Sequence, residues 1–93
     1  MAVRLVVTMK ALPGKGDEFE KAFQTNVPAI RKEPGCEQYH LFRSVDDPDN
    51  FVLLERWTDS ATFDEHVKLV RARPAPHAAL RDGLPTLERF DVA

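Results

Sequence analysis

The sequence predicts an α+β fold of ferredoxin-like type, β-α-β-β-α-β, with a four-stranded antiparallel sheet and both helices on one face. Three observations lead there. Four segments carry strand signals and two carry helical spacing, in that order along 93 residues. Right-handed crossovers then place both helices on the same side of one sheet. The third strand, Phe51-Val52-Leu53-Leu54, is apolar on both faces, and such a strand is covered on both sides. The helices cover only one. The other face is expected to meet a second copy of the sheet, as a homodimer.

Each element has its own warrant. Met1 to Ala11 alternates weakly, with Val3, Leu5, Val7 and Met9 on one face, and stops at Leu12-Pro13-Gly14, a turn signal. Asp17 is the expected N-cap of the first helix, with Glu20 three residues on. Phe19, Phe23, Val27 and Ile30 follow at helical spacing. Pro28 inside that pattern should kink the helix or split off its last turn, and Glu33-Pro34-Gly35 ends it. Cys36 to Val45 and Phe51 to Thr58 read as a hairpin across the polar turn Asp46–Asn50. If Val45 pairs with Phe51, Tyr39 faces Trp57, Leu41 faces Glu55 and His40 faces Arg56. Asp59 or Ser60 caps the second helix, Phe63, Val67 and Val70 form its apolar stripe, and Asp64 and Lys68 make an i,i+4 pair. Arg71 to Pro76 is a break, and His77 to Asp82 is a further helical turn ending at Gly83. Leu84 to Val92 is the last strand, with Leu87 and Phe90 as its core residues.

Length and composition bound the function. A chain of 93 residues forms one domain, residues 1–93, and buries roughly 64% of its unfolded surface. The net charge of -2, with both signs interspersed, argues against a nucleic-acid partner. No apolar run approaches the roughly 18 residues of a membrane span, and Arg4 interrupts Val3–Met9. There is no signal-peptide pattern, so a cytoplasmic location is expected. One cysteine, Cys36, excludes an internal disulfide and a cysteine-cluster metal site. His40, His66 and His77 lack metal-ligand spacing, so no metal is expected.

The blocks Glu33-Pro34-Gly35-Cys36, Tyr39, Asp47-Pro48, Phe51-Val52-Leu53-Leu54-Glu55-Arg56-Trp57, Asp59 and His66 together resemble the antibiotic biosynthesis monooxygenase (ABM) domain. The resemblance covers nearly the whole chain. It implies the dimeric α/β-barrel superfamily, whose members include cofactor-free oxygenases of aromatic polyketides, haem-degrading enzymes and an isomerase of a small phosphorylated dicarbonyl signal. This sequence departs from two of those patterns. The polyketide oxygenases use an asparagine four residues before the tryptophan, where Leu53 stands here. The haem-degrading members use an asparagine on the first strand, and none lies between Val3 and Ala11; only His77 stands where their iron histidine would be.

The resemblance therefore implies a cofactor-independent monooxygenase acting on molecular oxygen and a small aromatic, quinol-type or polyketide-like substrate. An acid–base isomerase of a small carbonyl compound and a non-catalytic ligand-binding dimer are the alternatives. Oxygen reacts slowly with closed-shell organics unless the substrate becomes an electron-rich anion. That demands a base, a stabiliser of the anion and a dry pocket. His66, beside the apolar stripe, is the candidate base, or else a boundary histidine bonded to backbone. Trp57 and Tyr39 form either an aromatic pocket wall or a cross-strand core pair. Glu55, on their face, is either a carboxyl with raised pKa or the partner of Arg43. His40 and Arg56 are expected at the dimer face. His77 belongs to a lid or is exposed, Cys36 is a small buried residue, and Lys68, Arg71 and Arg73 form a solvated helix end.

Overall fold

A computed structural model describes all 93 residues. The elements run β1 (Ala2–Lys10), α1 (Gly16–Gln24), α2 (Val27–Arg31), β2 (Cys36–Arg43), β3 (Asn50–Trp57), α3 (Ser60–Ala72), a 3₁₀ turn (Ala78–Leu80) and β4 (Thr86–Val92). The strands form one antiparallel sheet in the order β2-β3-β1-β4. This is the ferredoxin-like order that the element sequence and right-handed crossovers require.

The inner face carries Val3, Leu5, Val7 and Met9 from β1 and Phe51, Leu53, Glu55 and Trp57 from β3, all buried. Phe19 and Phe23 of α1 and Val27 and Ile30 of α2 close over it. The predicted effect of Pro28 is a complete break. The chain is non-helical at Thr25–Asn26, and Pro28 sits in the first turn of α2, where its missing N–H leaves no bond unmade. The cap of α1 differs from expectation. Asp17 lies inside the first turn, and Lys15 holds the cap position without a side-chain bond. Asp17 is instead drawn to Arg43, 2.8 Å away, and a carboxylate in a first turn still favours the helix dipole.

The hairpin register is shifted by two residues from the expected one. Arg43 pairs with Phe51, Leu41 with Leu53 and Tyr39 with Glu55, while His40 faces Leu54. Ser44 closes the turn by donating to the Asn50 carbonyl, so Val45 lies outside the ladder and is fully exposed. A shift of two preserves the faces, so Tyr39, Glu55 and Trp57 still share the inner one.

The second crossover covers the sheet thinly. Asp59 caps α3, accepting from the Thr62 amide at 2.8 Å in a capping box. Lys68 pairs with Glu65 at 2.9 Å rather than with Asp64, since both i,i+3 and i,i+4 neighbours lie within its reach. Of the helix's residues only His66 is buried; Phe63 and Val67 are half-buried, and Val70 is exposed. The edge strand β4 is uncovered: Leu87 is 56% and Phe90 47% exposed, so neither is core in the single chain. Leu87 pairs with Val7 on the inner face, whereas Phe90 pairs with Arg4 on the outer face. The outer face carries Val6, Val52 and Leu54, half-buried, and Phe42, 51% exposed. No helix is long and apolar enough to cross a membrane.

Candidate active site

The buried polar groups of this chain meet under α3. Glu55 and Trp57 are two apart on β3 and so share its inner face. The Trp57 Nε1–H donates to Glu55 Oε1 at 3.0 Å. Tyr39, directly opposite Glu55 in the register, is 6% exposed. His66 descends from α3 onto these three. Its ring stacks on Trp57 with centroids 4.4 Å apart and meets Tyr39 edge-on at 5.7 Å. All four residues proposed from the sequence are thus brought together, although Tyr39 faces Glu55 rather than Trp57.

A fifth residue completes the cluster. Glu33, in the turn after α2, places Oε1 2.9 Å from His66 Nδ1 and Oε2 3.4 Å from Arg73 Nη1. The backbone explains how it arrives. Gly35 adopts φ +81°, and a Cβ there would lie 2.5 Å from the Thr62 side chain. Only glycine lets the turn approach α3 so closely. Thr62 is one helical turn before His66, so this contact sets Glu33 beside the imidazole. In the sequence Glu33 read only as part of a helix stop. No spacing rule links it to His66 across 33 positions.

Burial dominates the electrostatics. Desolvation pushes the Glu55 carboxyl up to about 7; the Trp57 hydrogen bond opposes this and the nearby Glu33 charge adds to it. Burial also holds the His66 imidazole below its ordinary value, outweighing the Glu33 bond and charge that pull it upward. The His66–Glu33 contact has ion-pair geometry, but the desolvation makes it a hydrogen bond from a neutral ring. His66 Nε2 lies 3.6 Å from Glu55 Oε1, beyond hydrogen-bond reach. Burial raises the Tyr39 phenol far above its usual range, so Tyr39 stays neutral and contributes shape and an aromatic edge. Near neutral pH the cluster sets a neutral imidazole beside a carboxyl whose proton affinity burial has raised, a pair able to accept and to return a proton.

The remaining candidates lie elsewhere. Arg43 does not pair with Glu55. It binds the Pro48 carbonyl at 2.6 Å and Asp17, at the opposite end of the sheet. His40 is on the outer face, and Arg56 pairs with Glu37 at 2.8 Å rather than facing His40. Cys36 is half-buried, and its thiol is pushed up first by burial, which disfavours a thiolate nucleophile. His77 is not exposed: it packs on Phe19 and Phe23, 5.5 and 4.9 Å between centroids, and caps that end of the core. Of the basic trio, Lys68 and Arg71 are solvated, whereas Arg73 is drawn into the cluster by Glu33. No group of three or more metal-ligating side chains is assembled.

Two hollows flank His66. One of about 310 Å³ lies on the Glu33 side, against Pro34, Thr62 and Leu69. The other, about 210 Å³, lies between α3 and β4, where Glu55 and His66 meet Phe63, Val67, Val70 and Leu87. A larger cavity of about 470 Å³ opens at the far end of the sheet, by Thr8, Phe42, Val52 and Thr86. It contains none of the clustered residues, so its size alone does not make it the reaction site.

Known proteins share this fold. A crystal structure of an antibiotic biosynthesis monooxygenase-type protein from Caulobacter crescentus CB15 superposes with a TM-score of 0.87 at 28% identity, covering 99% of this chain and 90% of the other. SnoaB of Streptomyces nogalater, described as a cofactor-independent oxygenase and solved as a variant, gives 0.77 at 26% identity, over 98% and 92%. In sequence, "Putative monooxygenase YcnE" of Bacillus subtilis is 40% identical over 58 residues, 62% of this chain and 61% of that protein. The match therefore spans less than two thirds of this relative's length. The family described as "Antibiotic biosynthesis monooxygenase" matches residues 2–78. With the sheet order and the structural likeness, that match establishes that the chain belongs to the antibiotic biosynthesis monooxygenase family.

Proposed function

We propose that this chain is a cofactor-independent monooxygenase of a small aromatic or quinol-type substrate, with His66 as base and Trp57, Tyr39 and Glu55 shaping the substrate site. The observation that carries this reading is the buried imidazole stacked on Trp57, with one nitrogen bonded and the other beside a carboxyl that titrates near pH 7. The family membership and the description of SnoaB as a cofactor-independent oxygenase support it.

The depressed basicity of His66 keeps it neutral and able to accept at pH 7, and it demands an acidic substrate, such as a phenol or an anthrone-type C–H. The proton passes to His66, leaving a carbanion or phenolate that gives an electron to oxygen. For an activated methylene the balance is CH₂ plus O₂ giving C=O plus water. One oxygen atom enters the product, the other leaves with the two hydrogens, and the substrate supplies all four electrons. The imidazolium formed lies between Glu33 and Glu55, where two carboxyl groups stabilise it.

The same acid–base pair favours a second reading, an isomerase of a small carbonyl compound. There Glu55, whose carboxyl burial pushes up to about 7, returns a proton to a neighbouring atom and no oxygen is consumed.

The chain is further proposed to act as a homodimer. Phe42, Val52, Leu54, Val6 and Phe90 leave an uncovered apolar patch on the outer sheet face, and a second copy would cover it. Light scattering at micromolar concentration should give twice the 10.5 kDa chain mass; a monomer refutes this part.

Oxygen uptake by metal-free protein with anthrone and quinol substrates tests the reaction. Uptake with ¹⁸O in the product, reduced in His66→Ala and Trp57→Phe, is expected. Uptake equal in all three proteins would discard these residues. Turnover that proceeds without oxygen would select the isomerase.

A further inference from the structure

We propose that Glu33 is a positioning residue that fixes the His66 tautomer and aims Nε2, as a free hydrogen-bond acceptor, into the hollow between α3 and β4. The inference rests on the reading of His66 as base.

The two nitrogens of His66 stand in different surroundings. Nδ1 is 2.9 Å from Glu33 Oε1. A carboxylate only accepts, so Nδ1 carries the ring hydrogen and Nε2 keeps its lone pair. Nε2 has no hydrogen-bond partner in the chain, its nearest carboxyl oxygen being 3.6 Å away. Yet no buried side-chain nitrogen or oxygen is left unpaired. Nε2 is therefore not sealed in; it reaches the surface of a hollow.

His66 borders both hollows beside α3. On the Glu33 side its nitrogen is already occupied. On the Glu55 side the acceptor is unused, and the walls are apolar: Phe63, Val67, Val70 and Leu87. This also accounts for a helix whose apolar stripe is half-exposed and for the exposure of Leu87, since these side chains wall a ligand space rather than a core. At about 210 Å³ the hollow is smaller than the roughly 300–1,000 Å³ that hold drug-sized ligands. It suits one or two fused rings. Its polar groups are grouped at the floor, with solvated Arg71 at the mouth. A flat ring with a hydroxyl aimed at the floor matches that layout. Arg73 holds the other Glu33 oxygen at 3.4 Å, so the positioning carboxylate is fixed from two sides.

Nitrogen-15 NMR of histidine-labelled protein reads the tautomer without any turnover. The wild type and Glu33→Asp should show His66 protonated at Nδ1, and Glu33→Gln should lose that preference. The His66 ring signals then follow titration with 1-naphthol and with 1-fluoronaphthalene, which has no hydroxyl. The expected result is at least ~tenfold weaker binding of the fluoro compound, because a site built around a hydroxyl rejects its analogue. Leu87→Trp, filling this hollow, should weaken 1-naphthol at least ~tenfold, whereas Leu69→Trp, filling the other, should leave it unchanged. A wild-type His66 protonated at Nε2, equal binding of both probes, or a block by Leu69→Trp instead of Leu87→Trp would each overturn the proposal. Failure of the oxygenase reading is separable from these outcomes: it shows as absent oxygen uptake while tautomer and binding remain as expected.

Discussion

Replacing Glu55 by glutamine isolates the cost of keeping a carboxylate under α3. Glutamine preserves shape, and its carbonyl oxygen can still accept from Trp57 Nε1. What disappears is the ionisation. Burial raises the Glu55 carboxyl from an ordinary 4.5 to about 7. The folded state thus binds the proton more tightly than the unfolded chain. The sign follows: the wild type is unpenalised below pH 4.5 and loses stability as pH rises to about 7, after which the loss is complete. Each pK unit is worth about 1.36 kcal/mol, so the window amounts to about 3 kcal/mol. With the side chain only 7% exposed, solvent screening removes little of it. Glu55→Gln should therefore be more stable than the wild type by about 3 kcal/mol at pH 8 and by a few tenths at pH 4.5. Urea unfolding at both pH values, at one protein concentration, measures the difference. Comparing the two proteins at each pH cancels all other titrating groups. A gain of the same size at pH 4.5 and pH 8 would refute the reasoning, since it would place the effect in packing rather than in ionisation.

Three further outcomes follow from the same geometry. Trp57→Phe removes the donor that stabilises the Glu55 carboxylate, so the Glu55 carboxyl should titrate above 7; carbon-13 NMR of the side chain checks it, and an unchanged midpoint contradicts the 3.0 Å bond. Gly35→Ala and Gly14→Ala, at φ +81° and +77°, should each cost about 1–3 kcal/mol from backbone strain, but Gly35→Ala should cost more because its Cβ also meets the Thr62 side chain at 2.5 Å while Gly14 lies in open space. Equal losses in chemical denaturation would deny the close approach of the turn to α3. His66 and His77 are both held below their ordinary pKa by burial, so each stabilises the fold above about pH 6.5 and that stability is lost as pH falls. His77→Phe should flatten part of this acid limb in thermal scans between pH 7 and pH 5, and an unchanged limb would mean that His77 is solvated.

The alternation in β1, the doubly apolar β3, Pro28 and the Asp59 cap are local signals. They specified element order, sheet order and the break between α1 and α2, because propensity and hydrophobic periodicity act over a few residues. Period-two geometry puts Glu55 and Trp57 on one face of β3; Tyr39 joins them only if the hairpin register has the right parity, and the observed shift of two preserves that parity. The partner of Glu55 could not be read this way. The sequence offered Arg43 as a diagonal neighbour, but closure of the hairpin turn sent Arg43 to Asp17 and Pro48. Nor was Leu87 legible as a hollow wall, because its apolar character is the same in a core and beside a ligand. The role of Glu33 was decided wholly in three dimensions. A glycine with φ +81° lets one turn pack on Thr62, and only that contact brings a carboxylate to a histidine 33 positions away. Local sequence determines which residues can be helix, strand or turn; long-range packing determines which buried charges meet, and desolvation at that meeting point sets their chemistry.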